Sequence, residues 1–338
     1  DTYTVYKKDN LPGTLQHSSV FSTYKDTQGT IWVGTYYGGV HYFNPETDCF
    51  SYYSSDITRN DCLSHFFVGK MVEDKNQNLW ICTEGGGLNL FDRKTKTFRY
   101  FMAGKNKNSI AHNNLKCIRY SPKYDKLYIG THTGGFTIYN MQNNTFHNFR
   151  DEKPDYHQVT GDIIMQLEFY TEDLLIIQSR KGFYKLNLAT EQLTPLFDHN
   201  TRVNGTIFFV DSKDYFWLAN LSTIIKINLH DHSDIIYFNK KEKGFGTFGV
   251  SCIFEDSKGR LFFGTAGSGV YQYNPETENF TGYKAENHML QSNYCYDIAQ
   301  SEQNELIISG DKGLSFLNID NQSLKVINLN ELVFSGIN

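Results

Sequence analysis

The chain is poor in the features that mark several classes of protein. Only six of its 338 residues are proline, and only 20% are charged. Basic and acidic residues are interspersed, and the formal net charge is −5. This pattern gives no support to a nucleic-acid-binding protein. The low proline and charge content also argues against a disordered chain.

Long apolar runs are missing as well. No stretch approaches the roughly 18 apolar residues that a membrane helix requires. The first residues also lack the basic and apolar pattern of a signal peptide. Residues 1–6 already have the pattern of a β-strand, so we expect the chain to be a segment of a longer protein.

The six cysteines show no pairing at the spacing of a metal or redox site. Four of them fall inside predicted strands, where a free cysteine behaves as a small buried hydrophobe. These four are Cys82, Cys117, Cys252 and Cys295. Cys49 and Cys62 could form one loop disulfide in an oxidising compartment, and the sequence leaves this open. The sequence predicts no metal site and no cofactor.

Aromatic residues are abundant, with 23 tyrosines and 26 phenylalanines, and one motif repeats along the chain. Its clearest copies are DTQGTIWVGTYYGGVHYFNPETDCF at 26–50, DKNQNLWICTEGGGLNLFDRKTKTF at 74–98 and DSKGRLFFGTAGSGVYQYNPETENF at 256–280. Weaker copies keep the frame at 126–146, 174–193, 216–235 and 306–324. A period of about 40–50 residues with four short strands per copy is typical of a β-propeller.

The sequence therefore predicts an all-β fold, a seven-bladed β-propeller with four-stranded antiparallel blades. An Asp-x-x-Gly segment predicts a tight turn between the first two strands, because glycine supplies a positive φ and the Asp side chain binds the backbone. A glycine pair precedes the third strand, and a segment such as Asn-Pro-Glu-Thr precedes the fourth. The blades are predicted at 18–54, 66–102, 114–150, 162–197, 203–239, 248–284 and 293–328, within a propeller domain of residues 1–330.

Two segments could complete the last blade as its outer strand. Tyr3–Tyr6 would tie the start of the chain to that blade, whereas Lys325–Ile327 would complete it from within its own repeat. We favour the first, because a strand from the other end of the chain closes the propeller and protects its sheet edges.

The strings IWVGTYYGGVHYFN at 31–44 and LWICTEGGGLNLFD at 79–92 are each followed by x-x-Thr-x-x-Phe. They resemble the regulator-propeller repeats in the periplasmic sensor regions of hybrid two-component histidine kinases. The resemblance covers essentially the whole chain, strongly in blades 1, 2, 3 and 6. Blades 4 and 5 match it weakly and lose the glycine pair.

The resemblance implies a place in a larger protein. Residues 331–338 are similar to the entry into an immunoglobulin-like domain, which would make this the second, membrane-proximal propeller. An upstream propeller, a kinase domain elsewhere in the chain and a homodimeric full-length protein are implied as well. So is a periplasmic location as part of an inner-membrane protein.

Candidate ligand-binding residues lie on the loops between the second and third strands of each blade and on the crossings between blades. In a propeller these loops share one face, around the mouth of the central channel. They are rich in aromatic and planar polar side chains, which suit the ring faces and hydroxyl groups of sugars. The candidates are Tyr36, Tyr37, His65, Glu84, Asn114, His132, Arg180, Lys181, Arg202, Asn204, Phe248, Asn293 and Tyr294.

What the resemblance implies about function is a sensor that binds an oligosaccharide, neutral or acidic, and contributes to signalling across the membrane. One alternative is a docking propeller that packs on a partner propeller or a second protomer and binds no ligand. Another is a propeller lyase or hydrolase. No His-x-x-x-His, Gly-x-Ser-x-Gly or paired-carboxylate motif is present. We therefore predict that the chain itself is not an enzyme and that it binds no nucleic acid.

Overall fold

A computed structural model describes residues 13–17, 20–44, 49–106, 108–149, 162–197, 205, 207–221, 223–230, 235–239, 245, 249–290, 292–300, 304–310, 313–320 and 323–328. Within these residues, 28 strands form seven four-stranded sheets. In every sheet, strands that are consecutive in sequence pair antiparallel. The prediction of seven four-stranded antiparallel blades is confirmed. None of the described segments is a helix of the length and apolarity needed to span a membrane.

The chain divides into two compact units, one holding blades 1 to 4 and the other blades 5 to 7. The strands of blades 1 and 2 are β1 Val20–Lys25, β2 Ile31–Thr35, β3 Val40–Asn44, β4 Cys49–Tyr53, β5 Val68–Glu73, β6 Leu79–Thr83, β7 Leu88–Asp92 and β8 Thr97–Phe101. Those of blades 3 and 4 are β9 Leu115–Ser121, β10 Lys126–Thr131, β11 Phe136–Asn140, β12 Thr145–Phe149, β13 Ile164–Thr171, β14 Leu174–Ser179, β15 Gly182–Asn187 and β16 Leu193–Pro195.

In the second unit, blade 5 contains β17 Ile207–Val210, β18 Tyr215–Ala219, β19 Thr223–Asn228 and β20 Ile235–Asn239. Blade 6 contains β21 Val250–Glu255, β22 Leu261–Thr265, β23 Val270–Asn274 and β24 Asn279–Tyr283. Blade 7 contains β25 Asp297–Gln300, β26 Leu306–Gly310, β27 Gly313–Asn318 and β28 Ser323–Asn328. The structure thus places Lys325–Ile327 in the outer strand of blade 7, while Tyr3–Tyr6 lies outside the described residues.

An aspartate holds the turn between the first two strands. In blade 1, Asp26 Oδ1 accepts hydrogen bonds from the N–H groups of Gln28 and Thr30 at 2.9 and 2.8 Å. The other carboxylate oxygen accepts from Trp32 Nε1 at 2.7 Å. The same arrangement recurs in blades 2 and 5, in the pairs Asp74–Trp80 and Asp211–Trp217. The repeated aspartate and tryptophan are therefore structural residues that fix each blade's first turn to its second strand.

Two details of this turn differ from the sequence pattern. In blade 6, phenylalanine replaces the tryptophan, and Arg260 Nε supplies the missing donor to Asp256 Oδ2 at 2.6 Å. The fourth residue of the turn has a positive φ in blades 2 and 5 although it is not glycine, with 65° at Gln77 and 63° at Asp214. The bonds to the aspartate side chain are thus strong enough to hold ordinary residues in the left-handed region.

The glycine of the Trp-Val-Gly-Thr strand lies where two blades meet. A Cβ on Gly34 would be 2.5 Å from Ser22 Oγ and 2.8 Å from Cγ1 of Val68 in blade 2. Blade 2 reverses the arrangement, because Cys82 takes the glycine position in β6 and Gly69 faces it from β5. The inner strands of neighbouring blades approach closely because one side of each contact carries no side chain.

Gly130→Ala is expected to lower the free energy of unfolding by about 1–3 kcal/mol. The new Cβ would lie 2.5 Å from Cys117 Sγ and 2.6 Å from Ile164 Cγ2. Gly69→Ala is the matched control, since its Cβ would be 3.5 Å from its nearest neighbour, and we expect a change within about 0.5 kcal/mol. Urea unfolding followed by tryptophan fluorescence measures both variants, and equal losses would contradict this packing account.

Aromatic clusters fill the spaces between neighbouring blades. The ring of Trp32 packs on Phe91 of blade 2 at a centroid distance of 5.6 Å. All six cysteines are free, and three of the four predicted to be buried are so. The fourth, Cys252, is half-buried, and its Sγ lies 3.7 Å from Cys295 Sγ in the next blade. Cys252 is thus only partly buried, whereas Cys117, which faces Gly130 in the same way, is buried as predicted.

Candidate ligand-binding surface

The threonine and glycines of the motif hold the loop between the second and third strands of blade 1. Thr35 Oγ1 donates to the carbonyl oxygen of Gly39 at 3.0 Å. Gly39 has a φ of +77°, and a Cβ there would overlap the carbonyl oxygen of Tyr53, so glycine is required. The loop therefore presents Tyr36 and Tyr37 at its tip, where 41% and 55% of their surfaces are exposed.

These two tyrosines join an aromatic cluster with the crossing into blade 2. The cluster consists of Tyr36, Tyr37, His65, Phe66 and Phe67. Ring centroids are 4.0 Å apart between Tyr36 and Phe67, and 5.2 Å apart in the stacked pair Tyr37 and Phe66. His65 stacks on Phe66 at 4.4 Å. The contacts order five rings at one surface of the first unit, with two tyrosine rings open to solvent.

Backbone hydrogen bonds continue from this aromatic cluster across blades 2 and 3. The carbonyl oxygen of Phe67 accepts from the N–H of Glu84 at 3.1 Å. Glu84 forms a β-bridge with Asn114, whose carbonyl oxygen accepts from the N–H of His132 at 2.9 Å. The Glu84 carboxylate pairs with Lys116 Nζ at 2.6 Å, and each side chain is about one-third exposed. Three predicted residues of blades 2 and 3 thus lie along one bonded ladder that starts at the cluster.

A buried aspartate positions the corresponding loop of blade 4. The side chain of Asp162 is fully buried, and its Oδ2 accepts from the N–H of Lys181 at 2.9 Å. Arg180 Nε lies 3.3 Å from Asp162 Oδ1, and 69% of the Arg180 side chain is exposed. The Arg180 side chain therefore lies against a buried carboxylate and remains mostly exposed, which suits recognition of hydroxyl or acidic groups.

The charge state of His65 follows from its surroundings. Burial lowers the pKa of His65, and the nearby Glu84 carboxylate offsets this in part. Its Nδ1 accepts from the N–H of Phe67 at 3.2 Å. The neutral ring consequently carries its proton on Nε2, which is a hydrogen-bond donor beside the aromatic cluster.

The remaining predicted residues belong to the second unit or lie outside the described part. Asn293 uses both ends of its amide within the protein, accepting from the N–H of Ala285 at 2.9 Å and donating to Glu286 Oε1 at 2.6 Å. Tyr294 is 44% exposed. Arg202, Asn204 and Phe248 lie outside the described residues.

The sequence reasoning missed Phe66, Phe67 and Asp162. Phe66–Phe67 occupies the repeat position of Asn113–Asn114 and Asn293–Tyr294, where candidates were named, so aligning the crossings would have found it. Asp162 occupies the same position in blade 4, since its carbonyl oxygen accepts from the N–H of Gly135 as that of Asn113 accepts from Gly87, so the same alignment would have found it. Among the described residues, no group of three or more His, Cys, Asp or Glu side chains is placed to hold a metal ion.

Comparison with known proteins matches part of the chain to a family. Residues 14–37 match the family model described as "Two component regulator propeller". These residues include the Asp26 turn, the first tryptophan strand and both exposed tyrosines of the aromatic cluster. No curated protein matches the chain.

Three solved structures illustrate the structural similarity. The extracellular domain of a protein described as a hybrid two-component system of B. thetaiotaomicron matches 90% of this chain and 40% of its own, with a TM-score of 0.63 and 20% identity. A second such domain from B. thetaiotaomicron matches 97% of this chain and 49% of its own, with a TM-score of 0.54 and 17% identity. Virginiamycin B lyase from Staphylococcus aureus matches 94% of this chain and 98% of its own, with a TM-score of 0.62 and 10% identity.

This chain spans less than half the length of the two B. thetaiotaomicron domains. At these identities the structural similarities show the fold alone, whereas the family match concerns the sequence motif itself. The resemblance to regulator propellers is confirmed, and the chain is an all-β, seven-bladed β-propeller that carries a two-component regulator propeller repeat at residues 14–37.

Proposed function

We propose that this chain is a ligand-sensing propeller of an extracytoplasmic two-component sensor and that it recognises an oligosaccharide. The observation that carries the proposal is the aromatic cluster, which presents the tyrosine rings of Tyr36 and Tyr37 to solvent on an ordered base. Neighbouring aromatic rings exposed together mark interaction surfaces, and they suit the apolar face of a sugar ring.

Polar groups in the cluster, along the ladder and in blade 4 would add to such a site. Arg180, the Glu84–Lys116 ion pair and His65 Nε2–H offer donors and acceptors to sugar hydroxyls. Several weak contacts of this kind, added to ring stacking, recognise a flexible polar ligand without any reactive group. The chain acts in this proposal as a binding module, not as an enzyme.

The proposed setting is a larger membrane protein. Two solved neighbours are extracellular domains of hybrid two-component systems, which supports a periplasmic location with the membrane anchor and the kinase in other parts of the chain. An upstream propeller, a downstream immunoglobulin-like domain beginning at residues 331–338 and a homodimer belong to the same proposal. Ligand binding then shifts the dimer between two states, for which the ligand must have different affinities.

Tyr37→Ala is expected to weaken binding of the recognised oligosaccharide at least roughly tenfold, because it removes the more exposed ring of the cluster. Isothermal titration calorimetry against neutral and acidic oligosaccharides measures this loss. Tyr52→Ala is the matched control, since Tyr52 is 47% exposed but lies on the outer strand β4. Equal affinities of the two variants would contradict the assignment of the surface.

The exposed rings also favour a second candidate function, docking of a partner propeller or a second protomer. A flat aromatic patch buries well against another protein. Sedimentation equilibrium of the chain and of its Tyr37→Ala variant separates the two functions. Docking requires an association that the substitution weakens, while sensing requires a monomer or an unchanged oligomer that still binds sugar.

A further inference from the structure

One position of the repeat fills the space between neighbouring blades. It directly follows the third strand, and in blade 2 it is Arg93. The guanidinium of Arg93 lies 5.5 Å from the ring centroid of Trp32 in blade 1. It also donates to the carboxylates of Asp26 and Glu73. In blades 3, 4 and 7 the position is apolar and packs in the cluster shared with the preceding blade, as Met141, Leu188 and Ile319.

Blade 6 has Pro275 at this position, and the space is open. A cavity of about 700 Å³ lies between blades 5 and 6, with Pro275 on its rim. Its wall includes Asp211, Trp217 and Glu255, which correspond in the repeat to the three residues that Arg93 contacts. The proline is exposed and is absent from the hydrophobic cluster around Trp217. The cavity therefore includes the space that a longer side chain occupies in blades 2, 3, 4 and 7.

A lysine from blade 5 supplies the positive charge that Arg93 supplies in blade 2. Lys226 Nζ lies 4.1 Å from the ring centroid of Tyr215, 5.6 Å from that of Trp217 and 5.5 Å from that of Tyr273. The Glu255 carboxylate accepts from the N–H and hydroxyl of Ser212 at 2.8 and 2.6 Å. Lys226 thus supplies the positive charge beside Trp217, although the space next to Pro275 is not filled.

The other charged groups of the wall are also paired. Arg260 binds Asp256 and Asp320, at 2.6 and 2.8 Å, and Lys258 binds Asp320 at 2.5 Å. Lys213 and Glu276 add one charge of each sign. Together with Asp256 and Asp320, the lining residues carry four positive and five negative charges, so the charges nearly cancel and the wall does not favour a small inorganic ion.

Neutral hydrogen-bonding groups line the blade 6 side. Gln272 Oε1 accepts from the hydroxyl of Tyr283 at 2.8 Å, which turns its amide Nε2–H₂ away from that bond. Within the described part of the chain, neither this amide nitrogen nor the hydroxyl of Thr281 has a hydrogen-bond partner. Both residues line the cavity, together with the rings of Tyr215 and Tyr283.

We propose that this cavity binds a neutral polyhydroxylated ring of monosaccharide size. Its volume falls in the range of small-molecule sites, and amide, hydroxyl and aromatic groups among nearly balanced charges favour hydroxyl groups over ions. The site lies wholly in the second unit. It is separate from the surface of blades 1 to 4, and neither site depends on the other.

Pro275→Arg tests the proposal by rebuilding the arrangement of blade 2 in blade 6. The new side chain occupies the part of the cavity beside Asp211 and Glu255, so the melting temperature is expected to rise by roughly 2–4 °C. Saturation-transfer NMR with glucose, galactose, mannose, arabinose and myo-inositol is expected to show saturable binding to the parent chain and none to this variant.

Two further variants make the test specific. Thr281→Val keeps the shape of the wall and removes one hydroxyl, and it is expected to weaken binding roughly tenfold. Tyr37→Ala, which alters the aromatic cluster of the first unit, is expected to leave this binding unchanged. The proposal is overturned if no probe binds saturably, or if the parent chain, Pro275→Arg and Thr281→Val bind equally. Loss of binding in Tyr37→Ala alone would assign the signal to the other surface and overturn it too.

Discussion

Replacing Arg93 with alanine is expected to lower the free energy of unfolding by about 3–5 kcal/mol, because the substitution leaves two buried carboxylates without their cation. The side chain of Arg93 is 11% exposed, and those of Asp26 and Glu73 are 0% and 3% exposed. Burial alone would raise the pKa of Asp26, but the hydrogen bonds from Trp32 and Arg93 hold it below its usual value. Urea unfolding at pH 7, followed by tryptophan fluorescence, measures the loss.

Lys94→Ala is the matched control for this prediction. Lys94 is the next residue in the same turn, and it is exposed, so its removal should change the free energy of unfolding by less than about 0.5 kcal/mol. Arg93→Met retains packing volume and loses the charge. It should be nearly as destabilising as the alanine variant, since the cost comes from the carboxylates. A methionine variant as stable as the parent would show that packing, not charge, holds the blades together there.

The free energy of unfolding is expected to fall by about 3 kcal/mol as the pH decreases from 6.5 to 4, through one buried histidine. His41 is fully buried on β3, and burial lowers its pKa to about 4. Its Nε2 accepts from the N–H of Gln16 at 2.9 Å, which requires the neutral ring. Between these pH values the unfolded chain binds a proton and the folded chain does not, so stability rises with pH.

His41→Gln removes the titrating group and keeps an acceptor for the N–H of Gln16. Its free energy of unfolding should depend on pH much less between 4.5 and 6.5 than that of the parent. Glu191 affects both proteins equally and cancels in this comparison. Hydrogen bonds from His147 and Lys126 outweigh its burial and hold its pKa near 2, so its stabilisation is lost as the pH falls below the pKa of the unfolded carboxyl. If the free energies of unfolding of the two proteins depended on pH in the same way, His41 would not be the group responsible.

The fold could be predicted from the sequence because each recurring residue of the motif has a structural role that depends on its residue type. An aspartate five residues before the second strand holds the turn in blades 1, 2 and 6, and a glycine within that strand allows close packing in blades 1, 3 and 6. The threonine at the end of the strand makes the same hydrogen bond in all four of these blades. The period of the repeat does not show where a different residue takes over the same structural role in another copy. Arg260 replaces a tryptophan donor from two positions away, and Cys82 exchanges roles with Gly69 across a sheet. Such exchanges preserve the contact although the residue types differ.

The candidate site was predictable only in part, for a different reason. Tyr36 and Tyr37 stand out because they interrupt a pattern of small residues between the second and third strands. Their partners Phe66 and Phe67 come from the next blade, and they are found only when the crossings of the repeats are aligned with one another. The cavity of blades 5 and 6 was missed because its cause is a missing side chain, and proline in a turn is ordinary in sequence terms.

The central claim is that the aromatic cluster of blades 1 and 2 recognises an oligosaccharide. Its most direct test is calorimetric titration of the purified chain, and of the complete extracellular region proposed to contain it, with the same panel of neutral and acidic oligosaccharides. One oligosaccharide is expected to bind both proteins with equal affinity, and Tyr37→Ala is expected to weaken its binding to both. Binding by the longer region alone, or no binding by either protein, would contradict it.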